Sequence, residues 1–258
     1  MVSGPMQRKD GALTPIAQVI ETIPPGAGAV VMGTGIVSID LTLGGREPLS
    51  LVPLAIASLA WVLLGLLLGR RFLWTRERFD REAWLPAALT GVAGTAVLGV
   101  RLTLLGWGWA GAAMLIVAAL LWLGLVGRVL RHWVTPTMGA SFILTVATES
   151  LALLLALLGL SGRSGWLVVL AVVPLALGVG FYVFVVRSFS LHQLLIGRGD
   201  HWVAGGALAI CTLACARVTD AAQSLHLLGD GAALRAATLA LWVAAVAWLP
   251  LLIASELI

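Results

Sequence analysis

A chain of 258 residues that is 60% hydrophobic and only 11% charged, with a mean hydropathy of +1.03, carries more apolar surface than a water-soluble domain of that size buries. Its net charge of +4 comes almost wholly from arginine, with Lys9 the one lysine, and the arginines fall between the apolar stretches. That placement excludes a nucleic-acid-binding face and describes the loops of a helical membrane protein.

The first 24 residues hold no apolar run long enough for a signal peptide and read as a cytoplasmic tail. Residues 25–258 read as one transmembrane domain. Its apolar stretches give eight spans, at 25–43, 49–68, 84–105, 107–127, 138–160, 165–186, 201–217 and 232–254. The connections are short, so successive spans form antiparallel hairpins. Eleven basic residues gather on the side of the N-terminus, most densely in Gly69 to Glu82, against five on the other. The positive-inside rule then places both ends of the chain in the cytoplasm of a cell with this protein in its plasma (inner) membrane.

The first span, Pro25 to Leu43, is unusually rich in small residues. Gly28, Gly35, Ser38 and Thr42 share one helical face, as a seam for close helix packing requires. The odd-numbered spans carry most of the glycine and hydroxyl groups, whereas the even ones are greasier. This alternation suits an inner layer of odd helices and a lipid-facing layer of even ones. Small and hydroxyl side chains on inner helices serve a pore or plain bundle packing equally well, and the residues alone leave both readings open. As a pathway, the candidates are Gly33, Thr34, Gly35 and Ser38, then Gly94 and Thr95, then Thr145, Thr148 and Glu149, and Thr212. An internal repeat supports a ring: Val31 to Asp40, VMGTGIVSID, aligns without gaps to Val92 to Arg101, VAGTAVLGVR.

Three charges, Asp40, Arg101 and Arg217, stand near the outer ends of odd spans. Arginines there either snorkel to the interface or make an electropositive mouth for anions. Asp40 and Arg101 are placed to pair across neighbouring helices. Glu149 stands mid-span, where a carboxyl is expensive. An anion pathway predicts it to be neutral or tied up. Cys211 and Cys215 read as buried small apolar residues, and the four histidines are scattered. Nothing in the sequence calls for a metal or cofactor, and no paired catalytic groups point to an enzyme.

PGAGAVVMGTGIVSIDL in the first span resembles the tellurite-resistance/dicarboxylate transporter family, which includes malate permeases, sulfite exporters and plant slow-type anion channels. VAGTAVLGVRL, GASFILTVATESLALL and GDHWVAGGALAICTLA are similar to later inner helices of that family. The resemblance implies hairpins around a central pore lined by the odd helices, trimeric assembly, and small anions as substrates: dicarboxylate, sulfite, tellurite-type oxyanion or halide. The family pattern is ten spans against the eight read here, so the last hairpin and its gating residue find no match. The alternative reading is a truncated, non-transporting relative that assembles with or regulates a full-length partner.

Overall fold

A computed structural model describes residues 23–74, 82–190, 199–227 and 231–256, so most of the N-terminal tail and part of the arginine-rich loop lie outside the described residues. Among the described residues there are eight α-helices: α1 (Gly28–Leu43), α2 (Glu47–Trp74), α3 (Thr90–Leu104), α4 (Gly108–Arg131), α5 (Ile143–Ser161), α6 (Gly165–Arg187), α7 (Asp200–Ser224) and α8 (Ala232–Glu256). Short 3-10 turns, Pro86–Leu89 and Gly139–Phe142, lead into α3 and α5. The only pairing outside helices among these residues is the isolated bridge Thr137–Phe189.

The chain is an all-α polytopic membrane protein. Among the described residues, seven helices are long and apolar enough to cross a membrane. The glycine-rich α1 has 16 residues, about 24 Å of helix, and is the short one. α2 and α7 outrun the spans read from hydropathy by the most. α2 continues to Trp74 rather than stopping at 68, with Arg71 buried in its last turn. α7 continues to Ser224 rather than 217. Asp220 and Gln223 lower the hydropathy there, yet Val218, Thr219, Ala221 and Ala222 pack inward and keep the helix going.

Each odd helix ends in the same way. The backbones of Gly45, Gly106, Arg163 and His226 take positive φ, in the left-handed region. At each, two backbone bonds close the helix, as in Gly45 N to Thr42 O with Arg46 N to Leu41 O, and Arg163 N to Leu160 O with Ser164 N to Gly159 O. These are Schellman caps, which satisfy the last carbonyls and turn the chain back. Repeated four times, the cap makes four hairpins whose odd helices all run in one direction.

Within the hairpins, α1 packs on α2, α3 on α4, α5 on α6 and α7 on α8; between them, the odd helices pack in a row α1–α3–α5–α7. Burial follows this arrangement. α5 is enclosed by α3, α4, α6 and α7 and buried almost throughout, and α3 is mostly buried. The lipid-facing surfaces of α2, α4 and α8 stay largely exposed. Helices apolar on all sides, such as these, need lipid rather than water around them. The inner and outer layers expected from odd and even spans are therefore present.

Candidate functional site

The row of odd helices curls, so that α1 and α7 at its two ends face one cavity of about 230 Å³ together with α3 and α5. Ile36, Asp40 and Leu43 enter from α1, Val97, Val100 and Leu104 from α3, Leu153 and Leu157 from α5, and Gly206, Ile210, Leu213 and Arg217 from α7. These positions lie mainly in the C-terminal halves of α1, α3 and α5, so the cavity belongs to the hairpin-turn side of the membrane. The internal repeat reappears here. At its offset of 61 residues, Ile36 matches Val97, Ile39 matches Val100 and Leu43 matches Leu104, and all six line the cavity.

The match breaks at the charged pair. Asp40 lines the cavity, whereas Arg101 turns away from it and is fully buried. Its Nε donates to Ser38 Oγ at 2.9 Å, and its Nη2 to Ser50 Oγ at 2.7 Å and to the Glu47 carboxylate. The expected Asp40–Arg101 pair is therefore not formed, because Glu47 at the start of α2 reaches the guanidinium first. Arg101 ties α1, α2 and α3 together and does not open onto the cavity. Arg217 does. Seven residues from the end of its helix, it lines the cavity, with Asp220 4.0 Å away.

The small and hydroxyl residues divide between seams and space. Gly35 packs on Val97, where an added methyl would meet a side-chain carbon at 2.7 Å. Gly94 packs on the Gly28 carbonyl, at 2.9 Å for the same test. Ser38 binds the Ser50 carbonyl at 2.8 Å. Thr34 and Thr212 bond back to their own helices, at Val30 and Leu208. Thr95 accepts a bond from Trp61 of α2, and Thr148 from Trp122 of α4, both at 2.9 Å, so these hydroxyls point to the outer layer. Gly33 alone of the group meets open space, on the stripe that continues to Ile36 and Asp40.

Glu149 is fully buried and points into the seam with α6. Neither carboxyl oxygen makes a hydrogen bond of normal geometry, the Cys211 thiol lies beside it, and Gly178 leaves the notch it fills. Thr145, one turn earlier, is likewise buried with its hydroxyl unbonded. Among the described residues no group of His, Cys, Asp and Glu is arranged to hold a metal.

Of the residues singled out by type, Asp40 and Arg217 line the cavity. The rest of the lining is apolar and carries no hydroxyl or charge to mark it by residue type. The usable signal was the repeat, whose offset carries Ile36 onto Val97.

The family model for the voltage-dependent anion channel (SLAC1) matches residues 22–257. Searches of curated proteins and of solved structures return no match. The family match spans nearly the whole chain, helices and central cavity together, and the chain belongs to the voltage-dependent anion channel family, whose members pass anions across membranes.

Proposed function

We propose that the chain carries small anions, of the dicarboxylate, sulfite, tellurite-type oxyanion or halide class, through a pathway enclosed by α1, α3, α5 and α7. One observation carries the reading: a single cavity takes side chains from all four odd helices and holds Arg217. Arg217 draws the anion in, Asp40 sets the local balance of charge, and the apolar collar of Ile36, Val97 and Leu153 makes a constriction that rejects strongly hydrated ions. The basic residues support an N-terminus in the cytoplasm and a place in the plasma membrane, and the family resemblance supports a trimer.

Flux from liposomes reconstituted with this chain, offered malate, sulfite, chloride and tellurite in parallel, tests it. Flux above protein-free liposomes supports the reading, and its ranking names the substrate. Folded protein without flux for any of the four overturns it. A second reading is assembly with helices of another subunit. It is favoured by the edges of the curled row, where Val30 and Val37 of α1 and Trp202 of α7 are exposed.

A further inference from the structure

A second, larger cavity lies outside the curled row. It holds about 480 Å³, with α1 and α3 as its floor and α2 and α4 as its flanks. α2 and α4 are not a packed pair, so the cavity opens between two lipid-facing helices. Its walls are apolar. At the end where α1 and α3 begin stands Glu82, bonded at 2.7 Å to Arg71, which also reaches the Ile23 carbonyl at 3.3 Å. At the other end Trp61 donates to Thr95.

Glycine keeps this space open. Gly65 and Gly69 on α2 and Gly91 on α3 line it, and a methyl group added at any of them would meet nothing within 4 Å. From Trp61 to Gly69 the cavity follows eight residues of helix, about 12 Å. That is close to the hydrocarbon depth of one leaflet, about 15 Å. Apolar walls offer water no partners, and an empty space of this size forfeits dispersion contacts on every side.

We propose that this cavity binds one acyl chain of a bilayer phospholipid, drawn from the leaflet in which α1 and α3 begin. The site recognises the chain and not the headgroup, since Arg71 and Glu82 at its entrance engage each other. The tail fills the seam between the first two hairpins from the side opposite the central cavity, against the Gly28–Gly94 contact that holds α1 to α3.

Native mass spectrometry of the purified full chain tests the site, with Gly65→Leu filling it from the α2 flank and Gly91→Leu from the α3 floor. Gly124→Leu is the control, on α4 and facing open space but outside the cavity. The expected result is a retained phospholipid in the wild type and in Gly124→Leu, absent from both filling variants. Equal retention in all four, no retained lipid in the wild type, or a free fatty acid in its place overturns the proposal. Should a filling variant not fold, brominated-chain phospholipid decides. Trp61 emission, taken by difference from Trp61→Phe, is expected to stay quenched at least twofold after dilution into detergent, and full recovery overturns the site.

Discussion

Two arginines near the same ends of inner helices have different surroundings. Arg101 is buried among Ser38, Ser50 and Glu47, so it belongs to the scaffold. Removing a buried cation with its charged hydrogen bonds costs about 2 kcal/mol. Arg101→Met is therefore expected to lower the thermal midpoint in detergent while leaving the substrate ranking of any remaining flux unchanged. Arg217 lines the cavity and should act on the anion itself. Arg217→Gln should fold normally and lose flux by roughly tenfold, most at low ionic strength, where attraction is least screened. Liposome flux at two salt concentrations reads this directly. The sequence did not separate the two residues. Both are arginines late in odd spans, and what distinguishes them is Glu47 at the start of α2, brought to Arg101 by the α1–α2 turn.

At the level of elements, glycine and cap positions set how closely helices approach. Adding side-chain volume at Gly94 drives it into the Gly28 carbonyl, and overpacking of this kind costs about 1–3 kcal/mol. Gly94→Val should lower the yield of folded protein, whereas Gly33→Ala, which meets open space, should hold or gain stability. Size-exclusion profiles compare them. On the far side of α5, Gly178→Ala collides with Glu149, and Glu149→Ala empties the same notch. The double variant should recover much of the stability lost by Gly178→Ala alone, a coupling that a double-mutant cycle measures. The left-handed caps at Arg163 and His226 carry side chains, where the other two hairpin turns use Gly45 and Gly106. Arg163→Gly should raise stability by about 1 kcal/mol. These elements were partly legible. Gly28, Gly35 and Ser38 on one face announced a seam, and the structure packs that face on α2 and α3. The ends of α2 and α7 were not legible, since Arg71 and Asp220 read as loop residues; Arg71 is in fact buried, and the exposed Asp220 is carried by the inward packing of Val218, Thr219, Ala221 and Ala222.

For the whole molecule, the division into an inner row and an outer layer was legible in the sequence, because small and hydroxyl residues gather on the odd spans, where helices pack closely on one another; greasiness alone does not separate the layers, since the buried α5 is as apolar as the exposed α8. The curl of that row was not, since it depends on helix packing angles that no local pattern encodes. Nor was the character of the lining. Apolar residues such as Ile210 and Leu213 look the same in sequence whether they face lipid, a neighbour or a cavity. Transport by this chain requires that anions cross through that cavity. The direct measurement is flux in liposomes carrying Ala209→Phe, which places a ring in the cavity from α7, beside Thr148→Val, whose hydroxyl points to the outer layer. Both should reconstitute as folded protein. The prediction is that Ala209→Phe abolishes the flux and Thr148→Val keeps it; a folded Ala209→Phe protein that passes anions at the wild-type rate would contradict the pathway.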